Sequence, residues 1–361
     1  MQGFAIRTLL FAFFLFLGMD GWSQPDVPAP DPTIPQGKAG VDFNREDAKG
    51  KQGLWVKVYQ NGRIYYKGEF INDVPQGTFW FWYDDGMPMR RVEHLEGTAH
   101  MYAVHYHPNG RVMSEGHYKQ GIDPETKQPD KVRDGEWVFY NETSNLKSRE
   151  TYKLGLKHGE SRSFYDSGKI LREEYYVNGK KEGKFVEYFE NGREHAVRNH
   201  ANDTFHGETI LYESDGSLLI KGNYVNGLKD GIWMHFEAGK IRITTKYKLG
   251  EEIATRRENG EFTDYYPSGI PKATYVYEDG KKNGPFTEWH DVGEWVREPM
   301  NDPAPGGGIQ FIEKLIGTSV LCEGDYLNDK PEGTLTYYDE KGKITKIETY
   351  VGGQLTSTTT K

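Results

Sequence analysis

Five of the eleven histidines, His94, His100, His105, His107 and His117, fall within 24 consecutive residues. His105 and His107 are two apart, so a strand would project both on one face, like two legs of a zinc site. His107, however, stands at a place held elsewhere by Tyr59, Tyr83 and Tyr165, and replacement of an aromatic ring accounts for it as well. Asp123, Glu125, Asp130 and Asp134 offer oxygens for calcium, but their spacing is not that of an EF-hand loop, and Pro124 and Pro129 read as a solvated excursion. The sequence has no Gly-x-Ser-x-Gly elbow, phosphate loop, paired cysteines or His-Glu-x-x-His helix. No catalytic residue and no cofactor are therefore expected, and His105 and His107 are the only metal candidates.

A different chemistry, apolar recognition, is offered between Glu298 and Glu323. Pro303, Pro305 and Gly306 to Gly308 make a hinge, after which Ile309, Phe311, Ile312, Leu315 and Ile316 recur at the spacing of one helical face. So short a helix needs a surface to lie on. It is expected either to take a partner or to pack back on its own sheet, burying Cys322 with Val320 and Leu321.

What positions these residues is a period of 24. Gly135, Gly159, Gly183, Gly207 and Gly231 follow one another at that interval, as do Gly53 and Gly77, and Gly260 and Gly284. With Met101 and Gly333 they open eleven units. Five residues into ten of these units stands an aromatic: Trp82, Tyr106, Tyr140, Phe164, Tyr188, Tyr212, Phe236, Tyr265, Trp289 and Tyr338. A second aromatic column lies two residues in, from Trp55 and Phe79 to Phe286, and a third near position 17, from Phe70 to Tyr350. Stacking between neighbouring hairpins explains columns of this regularity, although an aromatic ribbon also suits glycans or peptides.

Turn chemistry sets the conformation. Asn61-Gly62, Asn109-Gly110, Asn191-Gly192, Asp85-Gly86 and Asp215-Gly216 are hairpin dipeptides, and Pro108 or Pro267 just ahead of such a turn points to a three-residue loop closed by a glycine bulge. Each unit then reads strand, turn, strand, turn. The expected fold is all-β, an elongated, twisted antiparallel meander of hairpin repeats over residues 51–353. Insertions interrupt it near 121–134, 251–259 and 298–323.

Runs such as Gly159-Glu-Ser-Arg-Ser-Phe164-Tyr165-Asp-Ser-Gly168, followed by Tyr176-x-x-Gly179-x-x-x-Gly183, resemble the bacterial variant of the MORN repeat. The resemblance extends over roughly residues 50 to 353 and implies the hairpin fold. For function it implies a scaffold or a lipid- or protein-contacting module, and some bacterial members are similar to YwqK-type antitoxins.

Residues 1–23 read as a secretory signal: Arg7 precedes the apolar run Leu9 to Leu17, and Gly21 and Ser23 are small residues ahead of a cut at Ser23-Gln24. Nine apolar residues fall short of the roughly 20 that span a bilayer. A Pro-rich tether is expected over 24–50 and a tail over 354–361. Cys322 is the single cysteine, which excludes a disulfide framework. A net charge of -9 argues against nucleic acid and does not indicate membrane contact. These features add up to a non-enzymatic scaffold, secreted, periplasmic or otherwise at the cell envelope, with a protein or glycan partner. The alternatives are a metal- or glycan-directed enzyme sited in the His-rich third unit, and, if export fails, an antitoxin-like protein-binding module.

Overall fold

The computed structural model describes residues 43–95, 99–299 and 311–361. The signal segment, most of the tether and Ile309 lie outside the described residues. Among those described there is no helix, hence none long and apolar enough to cross a membrane. The strands are antiparallel and, outside the insertion before the last repeat, pair with neighbours in chain order, as the hairpin period predicts.

The chain divides into two compact units at His94/Leu95. In the first, Gly50–Val58, Ile64–Ile71, Val74–Trp82 and Pro88–His94 form successive hairpins. The tether expected to reach residue 50 ends sooner. Arg45–Asp47 is already a strand paired with Gly50 to Gln52, because Asp47 Oδ1 accepts the Lys49 amide at 2.8 Å and closes a turn. In the second unit one meander runs from His100–Tyr106 to Glu251–Arg257, and another from Gly260–Tyr265 to Gln354–Thr360. The change of sheet falls at the expected irregularity near 251–259. The predicted tail is in fact the strand Gln354–Thr360, paired with Ile344–Val351; its four threonines are β-branched and suit a pleated surface. The insertion near 121–134 is no loose excursion either: it lengthens one hairpin, with Ile122 opposite Pro129.

The same closure recurs in most units. Tyr59 and Arg63 pair across a turn in which the Gly62 amide donates to Tyr59 O at 3.0 Å, and Gly62 has a φ of 84°. This is the three-residue loop with a glycine bulge. Opposite it the unit-to-unit turns are tied in series: the amides of Gly179, Gly227 and Gly250 donate to Lys157, Phe205 and Lys229 carbonyls at 2.7–2.8 Å. Where a tyrosine follows position 5, a further tie can cross to the next unit. The Tyr59 hydroxyl donates to Trp82 O at 2.8 Å, Tyr165 to Tyr188 O at 2.7 Å and Tyr266 to Trp289 O at 2.8 Å.

The aromatic columns divide the work differently from the expectation. Rings of positions 2 and 17 meet edge to face: Phe70 and Phe79 at 5.1 Å, Tyr118 and Trp137 at 4.8 Å, Tyr224 and Trp233 at 5.0 Å. Position 5 instead sits at a bulge that ends the strand, and Tyr140, Tyr188 and Tyr338 donate their hydroxyls to Glu115, Glu173 and Glu323 at 2.9, 2.8 and 2.6 Å. Within that column Trp82 is fully buried, whereas Tyr265 is 60% exposed. Between stacked rings lies a glycine column the periodic reading passed over. A Cβ on Gly68, Gly116 or Gly222 would come within 2.2–2.5 Å of the ring of Phe79, Trp137 or Trp233, so only hydrogen leaves room for the aromatic.

Candidate functional site

The insertion before the last repeat is a hairpin, not a helix. Glu294–Pro299 pairs with Phe311–Ile316 as a two-stranded sheet of its own, while the main meander continues past it from Lys281–Trp289 directly to Val320–Leu327. Three isoleucines and a phenylalanine in eight residues favour extended backbone, and cross-strand pairing satisfies amides that an isolated short helix would leave fraying. In this register Phe311, Glu313 and Leu315 share a face with Pro299, Arg297 and Trp295. Arg297 lies over the Phe311 ring at 5.7 Å and reaches Glu313 at 4.0 Å. Ile312 and Ile316 point to the other face beside Val296. Trp295, Phe311, Ile312 and Ile316 are 51, 53, 47 and 38% exposed, and Leu315 is half-buried. The segment thus does not bury Cys322. That thiol sits at 3% exposure among Ala273, Tyr275, Phe286 and Leu335, where burial pushes its pKa up to about 11 and leaves it a packing group.

A second constellation, which sequence reasoning did not assemble, lies on the central meander. Six rings run in contact across its strands: Phe185, His200, Phe205, Tyr224, Trp233 and Tyr247, with successive centroids 5.7, 4.8, 5.2, 5.0 and 6.3 Å apart. Phe185, His200 and Trp233 are buried; Phe205, Tyr224 and Tyr247 are partly open to solvent. Cations cover the row. Arg172, Lys181 and Arg198 lie 5.8, 5.5 and 5.7 Å from the Phe185 centroid, and Lys229 is 4.5 Å from that of Trp233. Glu174, almost wholly buried, pairs with Lys181 at 2.7 Å and receives the Tyr176 hydroxyl at 3.2 Å. A shallow surface crease, with no enclosed room for a water, lies between Glu174, Lys181, Phe185 and His200. Desolvation, followed by the nearby Lys181 charge, holds the His200 pKa below its ordinary value. The signal for this site was present as Lys157, Lys181 and Lys229, each 22 residues into its unit. Their role appears only once strand register sets them over the rings.

The metal candidates do not converge. His107 Nε2 lies 3.1 Å from Tyr140 O, the same tie to the next unit that Tyr59 and Tyr165 make, so it replaces an aromatic hydroxyl. His290 does likewise at Tyr338 O, at 3.1 Å. His105 packs its ring on Trp137 at 6.0 Å, with Nε2 3.3 Å from the Tyr118 hydroxyl. A bulge between His105 and Tyr106 and the turn that follows undo the simple two-residue alternation that would have aligned the pair. Among the described residues no three His, Cys, Asp or Glu side chains gather as a metal site. Asp123 spends its carboxylate on the turn, accepting the amides of Thr126 and Glu125 at 2.7 and 2.9 Å, which lower its pKa.

Fold and sites together define an all-β hairpin-repeat protein. Five of its segments, 99–120, 133–154, 157–178, 205–226 and 331–351, match the family described as MORN repeat variant. No curated protein matches the chain. Among solved structures it is similar to the TcdB2-TccC3-Cdc42 complex at 11% identity, over 82% of this chain and 18% of that one, with a TM-score of 0.13. It is also similar to the Photorhabdus luminescens Tc holotoxin pore at 11% identity, over 85% and 18%, with a TM-score of 0.13. A porin-like protein from Bacteroides uniformis ATCC 8492 matches at 8% identity, over 73% and 93%, with a TM-score of 0.15. Overlaps this poor carry no argument about fold or function.

Proposed function

We propose that this chain is a non-enzymatic, exported repeat scaffold that holds a protein or glycan partner at the cell envelope. The observation that carries the reading is the hairpin of Glu294–Pro299 and Phe311–Ile316, which stands outside the meander with Trp295, Phe311 and Ile312 about half exposed. Two-stranded hairpins are marginal alone, and exposed aromatic anchors are the side chains that contribute most at protein interfaces. Export rests on residues 1–23, whose basic start, short apolar run and small residues have the order of a cleavable signal.

Two measurements test the reading. The mass of the native protein is expected to begin at Gln24, and an intact Met1 terminus in the cytoplasm would overturn export and favour the antitoxin-like alternative. Cross-linking in intact cells is expected to trap one defined partner with wild-type protein and to lose it in the Trp295→Ala, Phe311→Ala double variant at unchanged melting temperature. Equal trapping by both proteins would remove the hairpin from the function.

A further inference from the structure

The geometry points to the ring row from Phe185 to Tyr247 as a binding face for a linear acidic polysaccharide, its carboxylates held by Arg172, Arg198 and Lys229. The inference rests on the scaffold reading and adds a ligand class at a second place, remote in sequence from the hairpin. Three observations bear on the class of ligand. The first is charge: among the described residues no carboxylate forms an ion pair with Arg198 or Lys229, and Arg172 reaches Glu174 and Glu187 only at 4.0 and 3.9 Å, whereas Lys157 and Lys181 are each engaged closely by a glutamate, Glu150 at 3.0 Å and Glu174 at 2.7 Å. The two free cations therefore stand over aromatic rings with their charge uncompensated.

The second is spacing. Arg172, Arg198 and Lys229 stand on the strands Ile170–Val177, Glu194–Ala201 and Leu228–Glu237, successively two and three steps apart in the meander. At ~4.8 Å per step the cations recur at roughly 10 and 14 Å. A chain with a carboxylate on every second sugar presents charge at such intervals, while a phosphodiester backbone is far more densely charged. The third is the kind of surface. Backbone amides in the interior of a sheet are consumed by its own ladder, so an extended peptide finds no hydrogen bonds on the face and would have to add at an edge. Sugar rings need none: their C–H faces would lie on the partly open rings of Phe205 and Tyr224, between the cations, and of Tyr247 beside Lys229.

Calorimetric titration of the full protein with a hyaluronan oligosaccharide, in which glucuronate alternates with a neutral N-acetylhexosamine, tests this. Binding is expected at low salt, weakening steeply as salt is added, and the Arg198→Gln, Lys229→Gln double variant is expected to bind roughly tenfold or more weakly. Arg198→Lys with native Lys229 should retain most of the affinity, which separates charge from folding. Absence of binding at low salt overturns the proposal. So does equal affinity for a neutral cello-oligosaccharide, for single-stranded DNA or for phosphatidylglycerol vesicles. If the hyaluronan oligosaccharide fails while the hairpin still traps its partner, this site alone is refuted; if both fail, the scaffold reading falls with it.

Discussion

The ring row of the central meander and the hairpin before the last repeat use the same side chains to opposite ends. In the meander, Trp137 and Trp233 are buried at 0 and 3% exposure, each against a glycine and each donating its indole N–H to a backbone carbonyl, at 2.9 and 3.2 Å. In the hairpin, Trp295 is 51% exposed. The difference teaches where stability resides: in rings locked between repeats, while the aromatic content of the hairpin contributes little to the fold and is available for recognition.

Four substitutions would break or sharpen that contrast. Trp137→Ala removes a fully buried ring from between Gly116 and Tyr118, and is expected to cost about 3–5 kcal/mol in denaturant unfolding. A cost near zero would mean that rings locked between repeats do not hold the repeats together. Gly222→Ala places a methyl group 2.2 Å from the Trp233 ring, so the stack must shift; overpacking of this kind costs about 1–3 kcal/mol. Unchanged stability would show that the stack yields freely.

A smaller effect follows from His200. Its pKa is lowered in the fold, so between that value and the ordinary ~6.5 the unfolded chain binds the extra proton. Its contribution is complete above about pH 6.5 and is lost as pH falls through the lowered value. Melting temperature should therefore drop on mild acidification, and His200→Phe should make the drop shallower; an identical pH profile would refute the assignment. His235, also lowered by burial, keeps part of the slope. The smallest effect is expected in the hairpin: Trp295→Ala should alter stability by no more than about 0.5 kcal/mol, as surface substitutions do. A loss of several kcal/mol there would make the hairpin part of the core.

Most of the fold was legible because its signals are local. Asn-Gly and Asp-Gly turns specify hairpins within a few residues, and their recurrence every 24 residues specifies the array. The glycines at 68, 116 and 222 were visible too, each two residues before an aromatic. A strand glycine reads only as a weak position until the ring across from it is known. The hairpin was misread for a related reason. Ile309, Ile312 and Ile316 satisfy helical spacing, yet strand pairing of Phe311–Ile316 with Glu294–Pro299 depends on a segment more than ten residues upstream, which periodicity within the segment does not register. The ring row was hidden because its six members come from six strands, and no short stretch of sequence contains it.

The tie from Tyr59 to Trp82 O, and from Tyr165 to Tyr188 O, reaches 23 residues forward along the chain. Every such bond closes on backbone synthesised later than its donor. A nascent chain emerging from its amino terminus therefore cannot complete a repeat when that repeat appears, but only after the following one has been delivered. Maturation proceeds as a wave trailing the point of emergence by about one unit, and the newest repeat is always the one still open to pairing with the next.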